Sequence, residues 1–167
     1  MEDRNRAGQN KTGQNKTSQN KTDQNNTDQI GADNAALIRA ALEARKSAYV
    51  PYSHYAVGAA LLTDAGEIVS GCNIENASFG ATNCAERTAF FKAVSQGLKG
   101  FRAIAIAGGM DGEAPAEYAY PCGICRQVMR EFCRDDFQVI VAKSVEDFRE
   151  YRLDELLPFG FGGESIR

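Results

Sequence analysis

The sequence predicts an α/β domain of three layers, α-β-α, with a mixed central sheet. Three observations lead to this prediction: segments of helical periodicity alternate with short apolar runs, a hairpin turn joins two of those runs, and 43% of the residues are hydrophobic. A chain of 167 residues is long enough for one such domain, with a substantial core and an additional segment.

The additional segment is a polar repeat over residues 8–29, with a period of five as in Gly-Gln-Asn-Lys-Thr. No aliphatic or aromatic residue interrupts it. A tract of this composition cannot bury enough apolar surface to offset the entropy of ordering it. We therefore predict a disordered low-complexity tail over residues 1–30 and a folded domain over residues 31–167.

The folded domain opens with a helix and a β-hairpin. Apolar residues recur at helical spacing over residues 34–48, and Pro51 ends the predicted helix. The run from Tyr55 to Leu62 has the small and β-branched residues of a strand. Asp64-Ala65-Gly66-Glu67 is typical of a hairpin turn, after which we predict a paired strand over residues 68–73.

The second half of the domain alternates helices with apolar strands. The predicted helices cover residues 84–97 and 122–134, the predicted strands residues 101–107 and 137–142, and a short amphipathic turn residues 153–157. Alanine, isoleucine and valine dominate both strands, which is typical of strands buried on both faces. The predicted order is therefore α-β-β-α-β-α-β.

Charge and composition narrow the class of partner. A net charge of -3 leaves no broad basic surface for nucleic acid or an anionic membrane, which favours a small-molecule substrate. No apolar run approaches the ~20 residues of a membrane span, and the polar N-terminus lacks a signal-peptide stretch. We therefore expect a cytoplasmic protein whose five cysteines are thiols or metal ligands rather than disulfides.

Three cysteines and a glutamate have the spacing of a catalytic zinc site. Cys84-Ala85-Glu86 comes first, and Pro121-Cys122-Gly123-Ile124-Cys125 follows. Three thiolates suit Zn²⁺ and leave a fourth position open, where bound water becomes acidic. Glu86 is then a candidate proton shuttle. The same spacing is the signature of zinc-dependent nucleobase deaminases.

Both ligand groups are predicted where a loop becomes a helix. The partial positive charge of a helix N-terminus stabilises a thiolate over a thiol. Three thiolates on Zn²⁺ still leave a net charge of about −1, so a cation is expected close by. Arg87, directly after Glu86, is the first candidate and Arg126 the second.

A structural zinc site is the alternative, and it would need a fourth protein ligand. Cys133 lies two helical turns beyond Cys125, too far along the predicted helix to reach the metal. Cys72 ends a predicted strand and could approach. His54, the only histidine, is expected to be a solvated loop residue. Glu86 favours the catalytic interpretation, because a structural site does not need it.

From Tyr49 to Phe161 the chain resembles the small homotetrameric zinc cytidine deaminases. The matching stretches are residues 51–53, 57–61, 71–76, 83–89, 121–127 and 156–158. The resemblance implies the cytidine deaminase-like fold and one Zn²⁺ per subunit, held by Cys84, Cys122 and Cys125 with water as the fourth ligand. It also implies deamination of cytidine and 2′-deoxycytidine in pyrimidine salvage, with Glu86 as the catalytic proton carrier.

The resemblance assigns further residues to the substrate and to the assembly. Asn73 and Glu75 match the ribose-binding pair, while Tyr55 and Ala85 match the base pocket. Phe161 matches an aromatic residue that reaches the site of a neighbouring subunit, so a homotetramer with shared sites is implied. Arg87 matches the arginine that neutralises the thiolates. The implied partner is a nucleoside, with neither nucleic acid nor membrane.

Three positions depart from the family pattern. Tyr120 replaces a residue that is commonly small, Ile124 replaces a common alanine, and Phe159 is an extra aromatic that could take the role of Phe161. These changes bear on pocket size and on the subunit contact. Deamination of a modified cytosine nucleoside such as blasticidin S is an alternative function, because deaminases of that kind share the metal site, although residues 73–76 resemble the clamp for an ordinary ribose. A non-catalytic, zinc-stabilised module is the alternative from another class.

Overall fold

The computed structural model describes residues 34–166, and a five-stranded sheet is the centre of this part of the chain. The strands are β1 (Tyr55–Thr63), β2 (Ile68–Cys72), β3 (Phe101–Met110), β4 (Gln138–Ala142) and β5 (Phe148–Arg152). The helices are α1 (34–45), α2 (Ala85–Ser95), α3 (Gly123–Phe132) and α4 (Leu153–Leu156), with short 3₁₀ turns at Phe79–Ala81 and Gly163–Ser165. The predicted tail over residues 1–30 lies outside the described residues.

The sheet has the order β2-β1-β3-β4-β5 and is mixed, as predicted. β1 pairs antiparallel with β2 through the predicted hairpin and with β3 on its other side. β3 and β4 are parallel, because α3 carries the chain back across the sheet between them. β5 returns antiparallel to β4 at the edge.

Alternating side chains of the strands pack against different helices, which confirms the three layers. In β3 the isoleucines Ile104 and Ile106 are buried with Phe90 of α2 and Met129 of α3. The alanines of β3 face the opposite side, with Leu37 and other residues of α1. This two-residue period follows from the pleat of a strand and places α1 opposite α2 and α3.

Two glycines let helices approach the sheet closely. A Cβ on Gly71 of β2 would lie 2.5 Å from the backbone nitrogen of Ala89 and 2.7 Å from the carbonyl oxygen of Ala85, both in α2. A Cβ on Gly58 of β1 would collide with the backbone of α1 at Ala41 and Arg45. The contact at Gly71 brings the first turn of α2 against the sheet.

β5 is the main element that the sequence analysis missed. Its sequence, Phe-Arg-Glu-Tyr-Arg, is rich in charge, and four of its five residues are exposed. An edge strand is exposed on its outer side and needs little apolar pattern, which removes the signal used for the buried strands. The strand nevertheless forms a full register with β4, from Gln138↔Arg152 to Ala142↔Phe148.

Other differences concern the ends of elements. β3 continues three residues beyond the predicted Ala107, because Gly108, Gly109 and Met110 pair with the start of β1. The first helix ends at residue 45 rather than 48, in tight turns such as Lys46 N–H to the Glu43 carbonyl. Within residues 34–166, no helix is long and apolar enough to cross a membrane.

Candidate active site

Two helix starts place the three predicted zinc ligands. Cys84 is the N-cap of α2 and Cys122 the N-cap of α3, and Cys125 lies in the first turn of α3. The carbonyl oxygens of Cys84 and Cys122 accept the first helical hydrogen bonds, from the N–H groups of Thr88 and Arg126. The ligands therefore lie at the positive ends of two helices, as predicted.

The three sulfur atoms converge with the spacing that zinc requires. Sγ of Cys122 lies 3.9 Å from Sγ of Cys84 and 3.5 Å from Sγ of Cys125. All three sulfurs lie within 4.8 Å of one another. Sulfurs bound tetrahedrally at ~2.3 Å from zinc are ~3.8 Å apart, so the two separations from Cys122 are close to those of a zinc-bound set.

Candidates for a fourth protein ligand lie elsewhere. Cys72 donates a hydrogen bond to the Ser47 carbonyl, 3.3 Å away, and Cys133 is buried in the apolar cluster between the sheet and α3. His54 is exposed, in a left-handed backbone conformation with φ of 55°. Among the described residues, Cys84, Cys122 and Cys125 form the one cluster of at least three potential ligands. The cluster therefore offers three protein ligands, the number that is typical of a catalytic rather than a structural zinc site.

The thiols do not share one protonation state. The pKa of Cys84 falls to about 5, first because Cys84 accepts a hydrogen bond from Cys125 and also because Arg87 donates to it. The same hydrogen bond and burial raise the pKa of Cys125 well above its ordinary value. The pair therefore holds one thiolate at neutral pH, and metal binding displaces the remaining thiol protons.

Arg87 lies beside the thiolate, where a neutralising cation was expected. Its Nη2 atom lies 3.6 Å from Sγ of Cys84 and donates to the Thr82 carbonyl at 3.0 Å. The second candidate, Arg126, is used differently: it donates to the carbonyl oxygens of Pro121 and Leu156, at 2.8 and 2.7 Å. Of the two cations, Arg87 contacts the ligands through its side chain.

Glu86 is buried directly beside the metal cluster. Its residue is 5% exposed, although a carboxylate is among the groups most costly to bury. Burial is the main reason that its pKa rises to about 7, and the negative charge on Cys84 raises it further. A carboxyl group with this pKa can both accept and release a proton near neutral pH.

A cavity of about 370 Å³ opens onto Glu86 and the cysteines. Its walls are formed by Tyr55, Val57, Asn73, Thr82, Asn83, Cys84, Ala85, Glu86, Ile106, Tyr118, Ala119, Tyr120 and Cys122. The volume lies within the ~300–1,000 Å³ range of small-molecule sites. The predicted site residues Tyr55, Asn73 and Ala85 therefore share one cavity with Glu86, the predicted proton carrier, and with two of the predicted ligands, Cys84 and Cys122.

Asn73 is tied to the first residues of β1 by its side chain. Its Oδ1 accepts from the N–H of Val57 at 2.8 Å, and its Nδ2 donates to the carbonyl of Tyr55 at 2.9 Å. An amide has two donor hydrogens and two acceptor lone pairs, so one of each is left for another partner.

Two of the predicted substrate-binding residues, Glu75 and Phe161, are not in the cavity wall of the single chain. Glu75 uses Oε2 to accept from the N–H groups of Tyr52 and Ser53, at 2.9 and 3.2 Å, which holds that loop. Phe161 is 60% exposed, and Gln127 donates to its carbonyl oxygen at 3.1 Å. Phe159, the alternative aromatic, is fully exposed with φ of 60°. Their assignment to the substrate stays a prediction.

The sequence analysis missed the wall formed by Tyr118, Ala119 and Tyr120. Tyr120 was noted only as a departure from the family pattern, and Tyr118 carried no signal. Both tyrosines lie in an irregular segment before α3, where no helical or strand period assigns a side chain to a face. Aromatic residues directly before a ligand-bearing Pro-Cys pair were the one available indication.

Known proteins resemble this chain in sequence and fold. Residues 32–141 match the family model described as the cytidine and deoxycytidylate deaminase zinc-binding region. A cytidine deaminase of Sporosarcina psychrophila is 48% identical over 130 residues, which are 78% of this chain and 92% of that protein. The crystal structure of cytidine deaminase from Burkholderia pseudomallei has a TM-score of 0.69 at 45% identity, over 75% of this chain and 97% of that one. A blasticidin-S deaminase of Bacillus cereus is more distant, 32% identical over 75% of this chain and 89% of that protein.

Proposed function

The chain belongs to the zinc-dependent cytidine deaminases, and on that premise we propose how its own residues deaminate cytidine and 2′-deoxycytidine to uridine and 2′-deoxyuridine. The overall reaction adds water to the base and releases ammonia. One observation carries the proposal: Glu86 lines the same cavity as Cys84 and Cys122, two members of the three-cysteine cluster.

Cys84, Cys122 and Cys125 would hold the metal. Zinc bound there supplies a Lewis acid that acidifies water for attack on carbon. The N-termini of α2 and α3 stabilise the thiolate ligands, and Arg87 offsets their negative charge. The proposed balance of charge keeps the site from becoming so anionic that water loses its acidity.

Glu86 is the proposed proton carrier. It accepts a proton from the attacking water and delivers it to N3 of the base. It then helps to protonate the amino group that leaves C4 as ammonia. Its raised pKa of about 7 and its place in the cavity wall support both halves of this cycle.

The remaining walls are proposed to bind the nucleoside. Tyr55 and the backbone at Ala85 border the base, for which a flat aromatic ring is a suitable neighbour. Asn73 has one donor and one acceptor left for a ribose hydroxyl, and Glu75 has a second carboxylate oxygen beyond the one that holds residues 52–53. The site is thus proposed to recognise a nucleoside with an ordinary ribose.

We also propose a homotetramer that acts in the cytoplasm in pyrimidine salvage. The exposed aromatic side chains of Phe159 and Phe161 suit a contact between subunits, since large exposed apolar groups commonly mark interfaces. The reduced state that the thiol ligands require is that of the cytoplasm. Assembly state in solution can be measured by light scattering over a range of protein concentrations.

The test is the loss of cytidine absorbance with zinc-loaded protein, beside Glu86→Gln. Glutamine keeps the size of glutamate and cannot carry the proton, so turnover should fall by ~10²–10⁴-fold. Zinc content and melting temperature should be unchanged in the variant. A zinc-loaded wild type that leaves cytidine intact and deaminates blasticidin S would favour the alternative substrate class instead. Zinc binding without turnover of either compound would favour a non-catalytic module.

A further inference from the structure

The three-residue wall Tyr118-Ala119-Tyr120 borders the cavity directly before the ligand-bearing Pro121-Cys122. It has no regular secondary structure of its own. An irregular wall beside a metal ligand can define a pocket only if other elements hold it in place. Its contacts lead to the end of β3 on one side, and to β5 and the turn between β4 and β5 on the other.

The inner side of this wall is pressed against β3 and β1. A Cβ on Gly108 of β3 would lie 2.6 Å from Cβ of Ala119 and 3.1 Å from the ring of Tyr55. Glycine at this position therefore makes the room in which Ala119 and Tyr55 meet. Ala119 and Tyr55 have no free space to move towards β3.

The outer side of the wall is held by charged residues of β5 and of the turn before it. The ring of Tyr118 has Nζ of Lys143 4.8 Å from its centre and the guanidinium of Arg149 4.4 Å from it. The Tyr118 hydroxyl donates to the carboxylate of Asp147, which also pairs with Lys143 at 2.6 Å. These contacts fix one end of the wall.

Tyr120 is held by a separate pair of hydrogen bonds. Nη1 of Arg149 donates to its hydroxyl at 3.2 Å, and the Tyr151 hydroxyl lies 3.0 Å from the same oxygen. The rings of Tyr120 and Tyr151 also meet edge to face, with centroids 5.7 Å apart. Arg149 contacts both tyrosines of the wall without lining the cavity itself.

We propose that Tyr120 is a specificity-determining residue that limits the size of the substituents on the cytosine ring. Arg149 is then the positioning residue that holds Tyr120 in place. The proposal rests on the function proposed above. C4 of the base must come close to the zinc ligands, so a wall two residues before Cys122 faces the substituents around C4. A phenol ring fixed in this wall is placed to exclude a methyl group on the exocyclic amine or on C5.

The experiment compares kcat/KM for cytidine with kcat/KM for 5-methylcytidine and for N4-methylcytidine. In Tyr120→Ser we expect the preference for cytidine over at least one methylated analogue to fall by about tenfold or more, since one methyl group is worth ~10–200-fold in a tight pocket. A change in this preference of less than about threefold for both analogues would overturn the role of Tyr120, because it is smaller than the contribution of one methyl group in a tight pocket.

Arg149→Met tests the positioning role. It removes the donor to Tyr120 and keeps an unbranched, flexible stem in place of the guanidinium side chain, so the preference for cytidine over the methylated analogues should fall as it does in Tyr120→Ser. Because Arg149 acts through the Tyr120 hydroxyl, Tyr120→Phe combined with Arg149→Met should change the preference no more than the larger single change. An unchanged preference in Arg149→Met, or additive effects in the double variant, would overturn this role.

Arg152→Met is the matched control, because Arg152 lies on the same strand, is exposed and pairs with Asp154. The preference of this variant among the three substrates should equal that of the wild type.

Zinc content and melting temperature identify any variant that has lost its fold, and Tyr120→Phe keeps the ring if Tyr120→Ser fails to fold. Wild-type protein without cytidine turnover contradicts the proposed function, whereas normal turnover with an unaltered preference contradicts only the present inference.

Discussion

Arg87 illustrates how one side chain sets the chemistry of this site. It is half-buried at the first turn of α2, and its contact with Sγ of Cys84 is one of the causes that lower the pKa of that thiol. The same contact raises the pKa of Arg87, so the cation and the thiolate stabilise each other. Nε of Arg87 is buried without a hydrogen-bond partner among the described residues. Burying a donor in this way is costly, and the neighbouring negative charge is what compensates for it.

Arg87→Gln is therefore expected to weaken zinc binding at the acidic end of the pH range. Arg87 lowers the pKa of Cys84, so its loss raises that pKa. Protons compete with zinc for the thiolate, and they then do so at a higher pH. The midpoint of zinc release, followed with a chromogenic chelator during acid titration, should move to higher pH in the variant.

Lys92→Gln, at the far end of α2, is the control for a change of charge on the same helix. Its zinc-release midpoint should match that of the wild type. An equal shift in both variants would mean that Arg87 acts only through the overall charge of the helix.

Among the elements, α2 positions two predicted site residues at once, because Cys84 is its N-cap, Glu86 lies in its first turn, and it packs on β2 at Gly71. A shift of this helix would therefore move the predicted ligand and the predicted proton carrier together. The spacing between α2 and the sheet therefore decides how far Glu86 stands from the other two cysteines.

Gly71→Ala tests this dependence. The new methyl group would lie 2.5 Å from the backbone nitrogen of Ala89, so α2 has to move away from the sheet. Overpacking of this kind destabilises a fold by ~1–3 kcal/mol, and we expect a loss of that size together with weaker zinc binding and lower turnover. Urea denaturation and zinc titration measure the two effects.

Gly80→Ala is the matched control, because no atom lies within 4 Å of a Cβ at that position. It should retain the stability, zinc affinity and turnover of the wild type. Normal zinc affinity in Gly71→Ala would show that α2 tolerates displacement without disturbing the cluster.

At the scale of the whole molecule, the repeat tail and the aromatic residues Phe159 and Phe161 are expected to have different roles. The composition of residues 8–29 predicts that they contribute nothing to the core. These residues lie outside the described part of the chain, so this stays a prediction. Phe159 and Phe161, in contrast, are exposed in the single chain and suit a role in the assembly.

Deletion of residues 1–30 should leave kcat/KM for cytidine within about twofold of the full-length value, since such polar tracts remain outside the packed domain. The melting temperature should also be retained. A large loss of turnover in a folded, zinc-loaded truncation would contradict the predicted domain division.

Phe161→Ala should lower kcat/KM by about tenfold if the aromatic ring reaches the base in a neighbouring subunit, because stacking on a base is worth ~1–3 kcal/mol. Phe159→Ala is the companion variant and should have the smaller effect. The reverse order would assign the contact to Phe159. Full turnover of wild-type protein at dilutions where it is monomeric would exclude a shared site.

Local chemistry is what the sequence by itself determined. The Cys-x-Glu and Pro-Cys-x-x-Cys spacings predict the ligands and the proton carrier, and the three cysteines do form a cluster able to hold a metal ion. Cysteines at the start of a helix are placed mainly by their neighbours in the chain. Among the described residues, the strong apolar periods likewise predicted α1, α2, α3 and four of the five strands, whereas α4 was expected only as a short turn. The strand β5 was not predicted, because an exposed edge strand has little hydrophobic pattern.

Only the tertiary structure decided which distant residues meet. It brings Cys84 beside Cys122, although 38 residues separate them, and it encloses Glu86 in a cavity walled by Tyr118 and Tyr120. It also engages Asn73 and Glu75 with the backbone of residues 52–57. The reason is physical: helical and strand periods assign a side chain to a face, whereas the partner of that face depends on how the sheet and its loops pack together.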